Sequence, residues 1–160
     1  MIKLIVAYGL NGEIGKGDTL LWHLPKDLTL FKEKTLASIV VMGHSTFKGL
    51  PTYPKGLPHR YNEVVTNKIT GSMYTTLTQW IEQPYGEEDE VWIIGGASIY
   101  KQLEHLAEEI HVTEVQANCP EADTFYKPNL EGFTEDVSQR VDVSSEDLKA
   151  VAKVYIKNSQ

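Results

Sequence analysis

The segment WHLPKDLTLFK, Trp22 to Lys32, places one carboxylate among apolar groups at the start of a helix. Asp27 and Phe31 stand four residues apart and so share a helix face. Leu28 and Lys32 lie on the adjacent strip, giving a shielded acid, an aromatic wall, an aliphatic floor and a cation at the rim. An acid in that setting suits hydrogen-bonding and proton chemistry. From spacing alone, the better reading of Asp27 is a first-turn carboxylate that complements the helix dipole. A second candidate is Gly95-Gly96, which permits close backbone approach to a pyrophosphate at a helix N-terminus. It also reads as a tight strand-to-helix turn, since the chain has neither a G-x-G-x-x-G fingerprint nor a Walker pattern. Cys119 has no base alongside and reads as a structural thiol. His23, His59, His105 and His111 lack metal-ligand spacing and read as surface or packing residues, so no metal is expected.

These side chains need a frame. Ile2 to Tyr8 reads as a buried strand feeding a glycine-punctuated loop from Gly9 to Gly17. Pro25 suits a first helical position, and Leu24, Leu28, Phe31 and Thr35 recur with helical spacing, so a helix runs from Pro25 to about Leu36. Ile39 to Met42 and Glu63 to Thr66 are further strands, while prolines and glycines between Gly49 and His59 argue against regular structure there. Leu77, Trp80 and Ile81 mark one face of a short helix, and Val91 to Ile94 is an apolar strand closed by the glycine pair. A helix with Ile99, Leu103 and Leu106 on one side then leads to a strand around Ile110 to Val115. Such alternation implies a largely parallel sheet with helices on both faces. In the last third, Phe133, Val137, Val141 and Val143 share one parity, and Leu148, Ala150, Ala152, Val154 and Ile156 share another. With Ser144-Ser145-Glu146-Asp147 as the turn between them, an antiparallel hairpin should complete the sheet. The expected fold is a single α/β domain over residues 1–160, with a mixed, mostly parallel central sheet.

Composition narrows the function classes. At 160 residues the chain suits one core, because a domain of this size buries roughly two-thirds of its unfolded surface. Hydrophobic residues at 41% and charged residues at 23% exclude the disordered and collagenous classes. A formal charge of -7 without a cluster of Lys and Arg argues against a nucleic-acid partner. A lone cysteine is typical of reducing compartments, the opening MIKLIVAYGL lacks a signal-peptide cleavage pattern, and no run approaches the ~18 apolar residues of a membrane span. A cytoplasmic monomer, without membrane partner, is expected, since no long apolar surface is left unassigned.

The Trp22–Lys32 segment closely resembles the substrate-binding helix of dihydrofolate reductases, with Trp22, Leu24, Pro25, Asp27, Leu28 and Phe31 in register. Further matches follow in chain order: IVAYGLNGEIG, VVMGHSTF, LPHRYNEVVTN, WIIGGASIY, HVTEV and ADTFY. Together they span nearly the whole chain. The resemblance implies reduction of 7,8-dihydrofolate to tetrahydrofolate with NADPH, by hydride transfer to pterin C6 and protonation at N5. Asp27 would accept two parallel hydrogen bonds from the amidine-like edge of the pterin. Thr113 would bridge that carboxylate to the substrate amine, although it also reads as an ordinary strand threonine. Ile5, Leu28, Phe31 and Leu57 would enclose the pterin and benzoyl groups, with Val6, Lys32, Ile94 and Tyr100 also at the substrate. Arg60, otherwise a solvated surface charge, would grip the glutamate α-carboxylate. Trp22 would hold a water network, and the loop from Gly9 to Leu21, with Leu20, would form a lid.

For the cofactor, the resemblance implies that Ala7, Ile14 and Gly15 meet the nicotinamide and that Gly43, His44, Ser45 and Thr46 face the phosphates. Thr66, Asn67 and Lys68 would lie at the adenosine end, and Ile94, Gly95, Gly96, Ala97, Ser98, Ile99 and Tyr100 would line the cofactor's other side. The chain departs from the family pattern at His44 and Ser98, where many bacterial members carry arginine, and at Ala97 and Ala122, where glycine is common. A neutral imidazole does not replace a permanent guanidinium charge, so NADPH should stay preferred but bind more tightly as pH falls, with Lys68 as a compensating cation. Two other readings remain open: the related pyrimidine reductase of riboflavin synthesis, and a non-catalytic folate- or nucleotide-binding module.

Overall fold

In a computed structural model describing residues 1–17, 19–66, 73–82 and 85–159, the opening apolar run forms β1 (Ile2–Tyr8) in the middle of a large sheet. β2 (Glu13–Lys16) and β3 (Thr19–Leu20) follow, then α1 (Pro25–Thr35), β4 (Ile39–Gly43), α2 (His44–Lys48), β5 (Tyr61–Val65), β6 (Tyr74–Thr75) and α3 (Leu77–Glu82). β7 (Val91–Gly95), α4 (Ala97–Leu103) and β8 (Glu109–Val115) complete the alternating part. β9 (Thr124–Phe125), β10 (Phe133–Glu135), β11 (Val141–Asp142) and β12 (Ala150–Lys157) close the chain. Strand order is β10-β12-β8-β1-β7-β4-β5-β6, with β11 also on β12. Neighbours from β8 to β6 run parallel, and β12 is antiparallel to β8, β10 and β11. This is the mixed, mostly parallel α/β sheet expected from the sequence.

Strand alternation sorts the core onto two faces. Leu4, Val6, Val41, Ile93 and Val112 pack with Ile99, Tyr100 and Leu103 of α4 and with Trp80 of α3. On the opposite face, Val40, Met42 and Trp92 pack with Phe47 of α2, and Leu24 and Leu30 from the α1 segment cover Val115, Ala150 and Ala152. Pro25 opens α1, Asp27 lies in its first turn and Lys32 and Lys34 in its last, all in accord with the helix dipole.

Three expectations need correction. The stretch from Gly9 to Gly17 is not all loop: β2 pairs with β3 and β9 in a separate small sheet. Of its two partners β9 lies more than a hundred residues away, so no local pattern announces that pairing. Ile81 is 47% exposed while Trp80 is buried, because the short α3 presents only one side to the core. The final hairpin is interrupted: after β10 a 3-10 turn spans Val137–Gln139, and Val137 is 62% exposed. The Asp136 carboxylate accepts from the Ser138 N–H and hydroxyl, a local capping arrangement that competes with the strand ladder and breaks the expected parity.

Candidate active site

α1 lays Asp27 against β8. Thr113, 5% exposed, donates its hydroxyl to Asp27 Oδ1 at 2.6 Å. Burial pushes the Asp27 carboxyl up from its ordinary value, and the Thr113 bond and the Lys34 charge only partly offset this. Ala7 pairs with Thr113 and Ile5 with His111 in the parallel ladder, so these side chains lie on the α1 side of the sheet. Ile5, Leu57 and Ile94 pack, partly buried, against the cluster of Trp92, Met42 and Phe47. Phe31 is half-buried on α1, and Leu28 and Lys32 are exposed on the same helix.

The loop leading into β5 is staked by Asn62, a residue that the sequence reading passed over. Its side chain accepts from the Leu57 N–H at 2.9 Å and donates to the Leu57 and Arg60 carbonyls. Arg60 donates from Nε to the Pro58 carbonyl at 2.8 Å and from Nη1 to Thr35 Oγ1 at 3.1 Å, so its guanidinium is anchored at the C-terminal end of α1. Two anchoring bonds leave further N–H donors of the planar guanidinium to bind a carboxylate.

The Gly9–Leu21 segment is tied down by groups that local patterning did not single out. Asp123 accepts from the Gly17 N–H through both carboxylate oxygens, at 3.1 and 2.9 Å, and its own N–H donates to the Gly15 carbonyl. Glu13 is only 2% exposed and accepts from the N–H groups of Asn11 and Cys119, each at 2.7 Å. Burial pushes its carboxyl up, but those N–H groups, with Lys127 nearby, outweigh burial and hold it below the usual range. A Cβ on Gly9 would come within 2.6 to 2.9 Å of Trp22, the Ala117 carbonyl and Glu13, so only glycine fits this junction. Trp22 donates from Nε1 to the Glu13 carbonyl at 3.3 Å, joining the start of α1 to the same knot.

Other expected site residues are placed as follows. Val6 points its side chain into the α4-side core, because it alternates with Ile5 and Ala7 along β1; only its backbone is left to border the cleft. Leu20 is 80% exposed in the lid sheet. Ile14 is likewise buried in the core beside Tyr8 and Tyr126. Tyr100 is buried, with its hydroxyl within donating reach of the Ile5 carbonyl at 2.7 Å and the Ile94 carbonyl at 2.9 Å, linking β1 to β7.

Backbone packing shapes the other side of the cleft. Gly43 and Gly96 are the N-cap residues of α2 and α4, and as glycines they offer no side-chain cap to the first N–H groups. A Cβ on Gly43 would lie 3.0 Å from Ile99 Cγ1, and one on Gly96 would lie 3.2 Å from Thr46 Oγ1. Gly95 has φ of +125°, a conformation that disfavours side-chain-bearing residues, and faces the Tyr100 hydroxyl. The two strand ends therefore meet in a close backbone cradle, bordered by Ser45, Thr46, Ala97 and Ser98, that fits a dinucleotide pyrophosphate. His44 Nδ1 is buried without a bonding partner among the described residues, and Thr66 stands half-buried at the end of β5. Asn67 and Lys68 lie outside the described residues. Among the described residues no group of His, Cys, Asp and Glu could hold a metal, and no helix is long and apolar enough to cross a membrane. An open groove of about 620 Å³, lined by Leu36, Tyr61, Glu63 and Glu88 to Glu90, sits at the opposite strand ends and does not include Asp27.

Comparison with known proteins agrees with this geometry. The family model described as dihydrofolate reductase matches residues 1–157. The dihydrofolate reductase of Haemophilus influenzae is 32% identical over 127 residues, covering 78% of this chain and 77% of that protein. That of Mycobacterium leprae is 36% identical over 124 residues, covering 72% of each. A solved dihydrofolate reductase from Enterococcus faecalis, complexed with NADP(H) and RAB-propyl, superposes with a TM-score of 0.83 at 27% identity, covering 99% of this chain and 97% of that one. A match over essentially the full length, on a fold that brings Asp27 to Thr113 beside a glycine cradle, places this chain in the dihydrofolate reductase family.

Proposed function

We propose that this family member reduces 7,8-dihydrofolate to 5,6,7,8-tetrahydrofolate with NADPH, and that Asp27 is the carboxylate that holds the pterin. One observation carries the assignment: Asp27 is half-buried, with Oδ1 taken by Thr113 at 2.6 Å. A carboxylate with one lone pair so engaged keeps further acceptor sites for an incoming amidine edge. NADPH, when bound, supplies the hydride that reduces C6.

The chain's own residues do the rest. Asp27 fixes the pterin's orientation and, as an anion in a desolvated site, favours a proton at N5 delivered through water. Phe31, Leu28, Ile5, Leu57 and Ile94 present the apolar walls, and Arg60 offers the fork for a carboxylate tail. Gly43, Gly95 and Gly96, with Ser45, Thr46, Ala97, Ser98 and Ile99 around them, would hold the pyrophosphate; Ala7, Gly15 and the backbone near Ile14 would meet the nicotinamide. The segment knotted by Glu13 and Asp123 excludes water while the bond is made. On this reading the chain works as a cytoplasmic monomer on small molecules.

The test is spectrophotometric. NADPH near-ultraviolet absorbance should fall only when dihydrofolate is added, an outcome that neither the pyrimidine reductase nor the binding module predicts. Asp27→Asn should lose most turnover at neutral pH and regain part of it in acid. A variant fully active at neutral pH would remove Asp27 from the mechanism.

A further inference from the structure

α1 carries a second ionised side chain on the face that bears Asp27. Lys34 stands seven residues on, two turns away, a rise of about 10 Å. Its Nζ lies 2.9 Å from Nδ1 of His111, while Thr113, two positions along β8, bonds Asp27. Positions two apart in a strand project to one side, so a single strand face docks both ends of one helix face. Helical side chains also lean toward the N-terminus, which sends the Lys34 stem toward Asp27.

The ammonium is held from behind. His111 Nε2 lies 2.9 Å from Glu109 Oε1, and that oxygen lies 3.8 Å from Lys3 Nζ, which pairs with Glu90 at 3.0 Å. The Trp92 ring covers the chain of groups, meeting His111 edge-on at 4.7 Å. An ammonium only donates and a carboxylate only accepts, so Nδ1 of His111 is the acceptor and Nε2 carries the hydrogen. Burial, reinforced by the Lys34 charge, pushes His111 down to about 4, so the ring is neutral at pH 7. Lys34's direct partner is therefore an uncharged ring; burial pushes the Lys34 ammonium below the ordinary lysine value, and the Asp27 and Glu109 carboxylates, Asp27 foremost, partly offset this. The groups facing this pair are Thr113, His111 and Glu109 from β8, Lys3 from β1, Glu90 ahead of β7, and Arg60, which reaches Thr35.

We propose that Lys34 is a positioning residue for the reductase reaction: clamped by His111 and Glu109 beneath the cleft, its ammonium biases Asp27 toward the ionised state that grips the substrate. The inference rests on the reading of Asp27 as the substrate carboxylate. It goes beyond that reading by naming what sets the charge of the carboxylate.

Lys34→Gln keeps a donor for His111 Nδ1 but removes the charge. Carboxyl carbon-13 NMR of the ligand-free protein, with Asp27 assigned through Asp27→Asn, should show its titration moved to higher pH, because the lost ammonium had favoured the ionised carboxylate. The inflection of the kcat pH profile should move the same way, and Lys34→Arg should restore both. Lys34→Met gives the same readout if the glutamine variant does not fold. An unmoved titration in the uncharged variants, or an equal displacement in Lys34→Arg, overturns the proposal. If Asp27→Asn proves active at neutral pH while Lys34→Gln still moves the NMR titration, the coupling stands and the catalytic reading of Asp27 is what fails.

Discussion

Replacing Thr113 by valine keeps the shape of a buried side chain and deletes one proton donor. In the wild type that donor meets Asp27 Oδ1 at 2.6 Å, a short charge-assisted contact. A hydrogen bond to a charged group contributes about 2 kcal/mol, which corresponds to about a thirtyfold change in the ratio of ionised to protonated Asp27. The bond favours the ionised form, so its loss moves the Asp27 titration upward. The stabilisation it gives the fold is therefore full above the Asp27 titration and disappears as pH falls through it. Urea unfolding of wild type and Thr113→Val at several pH values should show a gap of about 2 kcal/mol at pH 8 that narrows steadily in acid. The carboxyl NMR titration should move upward in parallel, and KM for dihydrofolate should rise because the bridge to the substrate amine is gone. A stability gap independent of pH, with an unmoved titration, would refute the reasoning, since it would reduce Thr113 to a packing residue.

Other consequences are as direct. Because burial holds the folded Asp27 carboxyl above its unfolded value, the native state keeps that proton longer, and stability is drawn down as pH rises from about 4 through the folded titration; Asp27→Asn should thus have a higher Tm than wild type at pH 7 even as turnover falls. Glu13 has the opposite sign: its carboxyl is held low, so its contribution is present above about pH 4 and is lost as pH falls through the folded value. Glu13→Gln should speed amide exchange at Asn11 and Cys119 at neutral pH; unchanged exchange would mean the knot does not depend on charge. Gly95→Ala should cost about 1–3 kcal/mol in urea unfolding and weaken NADPH binding, because the residue has φ of +125° and a new methyl would meet the Tyr100 hydroxyl at 3.2 Å. The NADPH dissociation constant from fluorescence titration should rise in His44→Gln, whose buried Nδ1 has no partner among the described residues in the wild type; an unchanged constant would remove His44 from cofactor binding.

The alternation of short apolar runs with helical periodicity sufficed for the mixed sheet, because buried parallel strands need continuous β-branched runs and helices need a 3.6-residue repeat. Both are local properties. Asp27, Phe31 and the glycine pair were legible for the same reason: their chemistry lies in one turn of helix or one strand end. The β2 sheet was not, since Glu13 and Phe125 pair across the chain, and neither was the broken hairpin, where the Asp136 cap prevails over parity. Which way a side chain points was likewise decided by assembly. Val6 and Ile5 differ by one step of alternation, and that step puts one in the core and the other beside the cleft.

The sequence alone therefore determined the type of sheet, the helix that carries the acid and the family the motifs resemble, all written in neighbouring residues. Only the tertiary structure decided which polar groups meet. Thr113 reaches Asp27 across 86 positions and Lys34 reaches His111 across 77, and their energies arise when burial removes the water that would otherwise satisfy each of them separately.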